Sequence, residues 1–338
     1  MYKDTFDQYV RSYNLNDPII ADSSWLKVVF QLGNVCTYNC SYCNSANKDG
    51  SVPWVDIDSA VNIVEEIFKV YSAPPFNKTN FHFELLGGEV TVWKDIDFLL
   101  KKIHSLGSET SIFTNASRSI RWWEECSSYL NRVTISFHPE YADREHVVNV
   151  GNILAEKNIQ VNFQVTMLPE LWQKSLDTIQ YAVDHGKFEQ VTVTKLFKHS
   201  TQGKLEIHDW PYTDEQTAWF KIQSTFNTKN QLLAKQDLQK SQGYYSHVSN
   251  FWVDSQTGNF RQQSSKLAAV TKQNNWKDWY CYVGIDTLFV HADGRIARAS
   301  LCKLPIVSYN WKDISAIEWP TDPIKCPYTA CYLSLIHI

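Results

Sequence analysis

The chain has 338 residues, 43% hydrophobic and 20% charged, an ordinary globular composition with length enough for a sizeable core. Its formal net charge of −4 gives no electrostatic case for nucleic acid as a main partner. No apolar run approaches the roughly 18 residues that span a bilayer, and the opening MYKDTFDQYV lacks the pattern of a signal peptide, so a cytoplasmic chain with no membrane partner is expected.

From Lys27 to about Phe197, short β-rich runs alternate with helical patterns. Residues 28–32 read as a strand. Residues 58–71 read as a helix, with Ala60, Ile63, Val64, Ile67, Phe68 and Tyr71 on one face and Asp56 or Asp58 as N-cap. Residues 81–86 form the next strand, and Ile96, Leu99, Leu100, Ile103 and Leu106 mark the next helix. Strands over 111–114, 133–137, 161–166 and 191–197 follow, separated by a helical stretch through Trp122 and Trp123 and by helices over 143–157 and 171–185. Such alternation gives parallel βαβ units. Six units suit a partial (β/α)6, TIM-like barrel over about residues 20–200, with a doubly wound sheet as the alternative. In both, functional residues sit at the C-terminal ends of strands.

Residues 201–280 differ, being rich in Gln, Asn, Ser and Lys. They read as a linker and substrate-facing extension, with a helix near 213–226 and a hairpin over 252–262 around Thr257, Gly258 and Asn259. Residues 281–332 carry four of the eight cysteines and read as a small C-terminal cysteine-rich domain. The ending LSLIHI, residues 333–338, is similar to the translation of a common sequencing adapter and is left out of the fold reading.

In a reducing compartment cysteines serve as metal ligands or buried thiols. The loop after the first strand reads CTYNCSYC and places Cys36, Cys40 and Cys43 within eight residues. Three thiolates so spaced suit zinc with a fourth ligand from elsewhere, or a [4Fe–4S] cluster with one iron left open to a small molecule. The second strand ends in Gly87, Gly88 and Glu89, where backbone can approach a ligand closely and a carboxylate can pair with an ammonium. The third ends in Thr114 and Asn115, and the fourth carries Ser136 just before His138. His138 is placed to reach a ligand at the barrel mouth, or to serve structure beside Pro139. Met167, Leu168 and Pro169 read as core or pocket lining, Cys126 as a buried thiol, and Trp122, Trp123, Trp276 and Trp279 as packing or channel lining.

The run Cys36-x3-Cys40-x-Tyr42-Cys43, followed in order by Gly87-Gly88-Glu89 and Thr114-Asn115, resembles the radical S-adenosylmethionine (SAM) superfamily. The resemblance implies that the three cysteines hold a SAM-binding [4Fe–4S] cluster and that Tyr42 packs near the adenine. It assigns Gly87, Gly88 and Glu89 to the methionine amino group, and Thr114, Asn115 and Ser136 to the rest of SAM. Reductive cleavage of SAM to a 5′-deoxyadenosyl radical would follow, with electrons from a flavodoxin or ferredoxin-type donor. The pattern of Cys281, the Asp293-Gly294 turn and Cys302, with Cys326 and Cys331 beyond, resembles a SPASM/twitch-like domain holding a probable auxiliary [4Fe–4S] cluster; a zinc knuckle is the alternative. Such a domain implies a peptide or protein substrate, with a small molecule or nucleoside as the runner-up. A non-catalytic iron–sulfur or zinc protein is the rival from another class. No residue is singled out as catalytic acid, base or hydrogen donor.

Overall fold

The structure is a computed structural model that describes residues 9–13, 24–188, 190–199, 207–222, 225–227, 249–253, 260–264, 277, 280–299, 302 and 304–327. Tyr9–Tyr13 (β1) precedes Trp25–Gln31 (β2), Ile57–Ser72 (α1), Asn80–Leu86 (β3), Ile96–Ser105 (α2), Glu109–Thr114 (β4), Ile120–Cys126 (α3), Arg132–Phe137 (β5), Arg144–Glu156 (α4), Gln160–Met167 (β6), Trp172–His185 (α5) and Gln190–Lys195 (β7). Then come Phe197–His199 (β8), Ile207–Asp209 (β9), Asp214–Ile222 (α6), Thr225–Asn227 (β10), Ser249–Val253 (β11), Phe260–Ser264 (β12), Tyr280–Cys281 (β13), Thr287–Val290 (β14), Ile296–Ala297 (β15) and Ile324–Lys325 (β16).

Strands β2 to β7 lie side by side in sequence order and all parallel. A doubly wound sheet reverses its strand order at a switch point; this sheet does not. With right-handed crossovers throughout, every helix falls on one side of the sheet, as in a barrel wall. The side-chain period of two then builds unlike faces. Leu26, Val28 and Phe30, with Phe83, Leu85, Ile112, Ile135 and Phe163, are fully buried in the cluster that the helices share. Helix α1 joins it through Ala60, Ile63, Val64, Ile67 and Tyr71, and Asp56 caps the helix by accepting from Ser59 N at 3.0 Å. The other face is largely polar, with an apolar patch of Val29, Leu86, Phe289 and Ala297: Lys27 pairs with Glu84 at 3.0 Å, His82 with Ser111 at 2.7 Å, Arg132 with Glu109 at 2.9 Å, and Thr192 donates to Asn162 at 3.1 Å. This polar face is the inside of the partial barrel.

The sequence reading meets three differences. The sixth strand ends at Lys195, and Phe197 belongs to the separate strand β8, which pairs with β9. The helix expected to Phe226 stops at Ile222, because Thr225–Asn227 pairs antiparallel with β7 and extends the sheet beyond its sixth strand. At the other edge, β14 from the cysteine-rich region pairs parallel with β2, and β15 folds back on it across Gly294, whose φ of +104° suits glycine. Packing partners distant in sequence decide such edge pairings, so local patterning does not announce them. The two strands of the expected hairpin, β11 and β12, pair antiparallel, while residues 254–259 between them lie outside the described residues. Strands β11, β1 and β13 share a second, five-stranded sheet with β12 and β16. Cys331, Trp276, Trp279 and residues 333–338 also lie outside the described residues. Trp122, Trp123, Met167, Leu168 and Cys126 are buried, and the Cys126 thiol donates to Asp97 at 3.2 Å. Among the described residues no helix is long and apolar enough to cross a membrane.

The edge strand β14 is secured by a buried ion pair between Lys78 and Asp286, 2.6 Å apart with side-chain exposures of 1% and 4%. The Tyr71 hydroxyl adds a hydrogen bond to the Gly284 carbonyl. Replacing Asp286 by Ala strands the Lys78 charge in the interior and should cost about 3–5 kcal/mol in denaturant unfolding. The double change Lys78→Met, Asp286→Leu should recover most of that loss. A double variant no more stable than the single would show that the ion pair itself, not charge desolvation, carries the effect.

Candidate functional site

Four strand ends meet over one cavity of about 310 Å³, lined among others by Cys36, Cys40, Cys43, Gly87, Gly88, Thr114, Asn115, Ser136 and His138. The cysteines stand on the loop after β2. Its shape is set by Asn34, fully buried, whose Nδ2 donates to the Ala46 carbonyl, Asp49 Oδ1 and Ser51 Oγ at 2.8–3.1 Å and whose Oδ1 accepts from Val52 N at 2.9 Å. Sequence reasoning passed over Asn34, because an Asn between Gly and Val carries no chemical signature; only the returning chain at residues 46–52 gives it partners.

The glycines have a steric reason. A Cβ on Gly88 would stand 2.2 Å from the Val35 carbonyl oxygen, and one on Gly87 would stand 2.8 Å from that of Gly33. Bare backbone alone lets the β3 end cross the cysteine loop, where Glu89 N donates to the Val35 carbonyl at 2.8 Å. The Glu89 side chain is fully buried. Its Oε1 accepts from Thr91 N at 3.1 Å, Thr91 Oγ1 at 2.6 Å and Thr114 Oγ1 at 2.7 Å, and its Oε2 from Asn115 N at 2.5 Å. Burial pushes its carboxyl above the usual range, while these hydrogen bonds pull the other way. Glu89 therefore holds the ends of β3 and β4 together behind the cavity wall, and its charge reaches forward to raise Cys36 and Tyr38.

Asn115 Nδ2 turns toward the cysteine loop, donating to Thr37 Oγ1 at 3.0 Å and lying 3.9 Å from Cys36 Sγ. The turn after β5 grips the loop from the other side. Ser41 N donates to Glu140 Oε2 at 2.7 Å, the Tyr141 hydroxyl to the Asn39 carbonyl at 3.1 Å, and Tyr38 stacks on Tyr141. Tyr42 lies parallel to His138, its hydroxyl 2.6 Å from Nδ1. Tyr42 thus braces His138, and it is the imidazole that lines the cavity.

Burial raises all three thiols, Cys40 to about 11. Metal ligation takes the thiolate form, so loading releases protons. Among the described residues no three His, Cys, Asp or Glu side chains close on a single-ion site. The thiols of Cys36, Cys40 and Cys43 instead open on a shared cavity, and a soft, three-thiolate set spread in this way fits a cluster that takes each thiolate on a different iron. None of the seven described cysteines is in a disulfide. In the C-terminal region Cys281 and Cys302 both act on the charge of Arg298, and Cys302 is raised by burial and by Cys326.

The profile of the radical SAM superfamily matches residues 30–199. The chain belongs to the radical SAM superfamily. The match takes in the cysteine loop and strands β3 to β7. The chain is also similar to Streptococcus suis SuiB bound to S-adenosylmethionine, with a TM-score of 0.52 and 14% identity over 88% of this chain and 66% of that one. Two further SuiB structures, one alone and one bound to precursor peptide SuiA, match with TM-scores of 0.49 and 0.48 at 12% and 14% identity. They cover 86% of this chain and 64% and 63% of theirs, so the chain spans just under two thirds of the solved chains it matches. At this identity the likeness is one of fold. No curated protein sequence matches the chain.

Two outcomes follow. Gly88→Ala should abolish iron loading on Cys36, Cys40 and Cys43 while far-UV circular dichroism stays near wild type, since the Cβ meets backbone that cannot yield; wild-type loading of that site in this variant would contradict the crossing described. Burial holds His138 down to about 4, against 6.5 for an ordinary histidine. Its folded value lies below the unfolded one, so its contribution to stability is present above about pH 6.5 and is lost as pH falls toward about 4. The melting temperature of His138→Gln should therefore drop less than that of wild type between about pH 7 and about pH 5. His291, held down to about 4 as well, keeps its share in both proteins.

Proposed function

We propose that this chain is a radical SAM enzyme acting on a peptide or protein. The observation that carries the reading is the convergence of Cys36, Cys40 and Cys43 with Gly87, Gly88, Thr114, Asn115 and Ser136 on one cavity at the C-terminal ends of the strands. Cys36, Cys40 and Cys43 would hold the [4Fe–4S] cluster, and the wall from Gly87 to Ser136 would hold SAM. The chemistry that this bound pair supplies is reductive cleavage of SAM to methionine and a 5′-deoxyadenosyl radical, which takes a hydrogen atom from the substrate. The protein's own part is positional. Glu89 and Asn115 fix the wall against the loop, and the turn at His138 grips it from the other side.

Two features support a peptide. The inner barrel face offers hydrogen-bonding side chains from Lys27 to Thr194 and suits a polar chain rather than an apolar ligand. Cys281 and Cys302 act on Arg298 and Cys326 acts on Cys302, and with Cys331 these cysteines would supply the ligands of an auxiliary [4Fe–4S] cluster. A flavodoxin or ferredoxin-type protein would deliver electrons, in a reducing compartment that keeps these thiols free.

Anaerobic reconstitution with iron and sulfide, followed by a dithionite-driven SAM cleavage assay, tests the proposal. Wild type should bind about eight irons, four per cluster, and form 5′-deoxyadenosine; a protein with Cys36, Cys40 and Cys43 all changed to Ala should keep about four irons and form none. A fully loaded wild type that releases no 5′-deoxyadenosine would sink the enzymatic reading and leave a cluster-binding protein.

A further inference from the structure

Among the described residues that line the cavity, Lys48 is the one cationic side chain. Its surroundings are otherwise anionic or neutral. Three thiols open on the cavity, the Glu89 carboxylate stands behind Cys36, and Glu140 acts on Cys40. His138, the other basic group there, stays neutral at neutral pH.

Lys48 is also held in place. It ends a short 3-10 turn, Ser45–Asn47, capped by the Asn44 side chain, which accepts from Ala46 N at 3.0 Å. Asn34 grips the same turn through the Ala46 carbonyl and Asp49, and Val35 bridges to Asp49. From this support the half-buried Lys48 reaches back to donate to the Cys40 carbonyl. Asp49, its neighbour in sequence, is occupied with Asn34 and Ser51. The positive charge of Lys48 thus stands at the cavity beside the cysteine loop, where it offsets part of the effect of burial on Cys43.

We propose that Lys48 sets the reduction potential of the cluster held by Cys36, Cys40 and Cys43, its ammonium stabilising the negative charge that enters with the electron. The inference rests on the functional reading above. Each reduction adds one electron from an external donor to a centre already carrying three thiolates, and the half-buried setting keeps the field of a fixed cation strong. No proton or bond need move.

The test is a redox titration of the reconstituted protein without SAM, using dithionite as reductant and the electron paramagnetic resonance (EPR) signal of the reduced cluster as readout. The signal belonging to this site is the one that SAM perturbs afterwards. Lys48→Met should lower the ratio of reduced to oxidised cluster about tenfold at a fixed potential, about 59 mV for a one-electron couple, and Lys48→Arg should restore most of it. An unchanged potential in Lys48→Met would overturn the proposal. So would a loss of iron from that variant, which would make Lys48 a strut for the loop, or a fall in SAM affinity with the potential unmoved. An Arg variant as low as Met would overturn it too, since charge would then not be the cause. A wild type that loads no cluster on the three cysteines fails the functional reading instead, before any variant is compared.

Discussion

The buried carboxylate of Glu89 is the interaction on which the site depends. It accepts hydrogen bonds from Thr91, Thr114 and Asn115, while its own backbone N–H donates to Val35 at the root of the cysteine loop. One residue therefore joins the ends of three neighbouring strands, β2, β3 and β4. A buried carboxyl group with no water around it needs donors to stay there, and these donors are supplied by the strand ends themselves. Remove the carboxylate and Thr114 Oγ1 and Asn115 N lose their acceptor in the interior, at a cost of about 1–3 kcal/mol for each. The resemblance alone assigns Glu89 to a ligand amine. The geometry gives it a prior duty, which is to fix the wall that such a ligand would meet.

The one-sided winding of the sheet gives that wall its setting. Apolar side chains face the helices, and the inward face is largely polar, with a small apolar patch of Val29, Leu86, Phe289 and Ala297. Both edges of the six-strand run are then covered, by β10 on one side and β14 on the other. The strand β14 arrives from the cysteine-rich segment and is secured by Lys78 and Asp286. Through β14 and β15 the C-terminal segment joins the barrel sheet, while Cys281 and Cys326 stand at β13 and β16 of the five-stranded sheet.

Much of this was legible in the sequence, and what escaped has a physical cause. The alternation of short β-rich runs with amphipathic helices gave six βα units, because strand and helix periods are local properties of neighbouring residues. The cysteine loop and the Gly-Gly pair could be read because their chemistry is carried by residue type at fixed spacing. Asn34 and Lys48 could not, since an Asn and a Lys in a polar loop have no meaning until the loop closes on itself. The role of Tyr42 was also out of reach: His138, its partner, lies 96 positions away in sequence. The antiparallel strand β10 was read as the end of a helix, because Thr225, Phe226 and Asn227 take their conformation from β7 and not from their own pattern.

A cluster held by Cys36, Cys40 and Cys43 would lie beside the wall built from Gly87, Gly88, Thr114 and Asn115, and SAM bound against that wall would alter its electronic structure. EPR of the dithionite-reduced protein, recorded with and without SAM, tests it most directly. The measurement should be made on wild type and on a protein with Cys281, Cys302 and Cys326 changed to Ala. SAM should shift the g values of one cluster, and the shift should survive loss of the C-terminal cysteines. A spectrum that SAM leaves unmoved, or a shift that disappears with those cysteines, would contradict it.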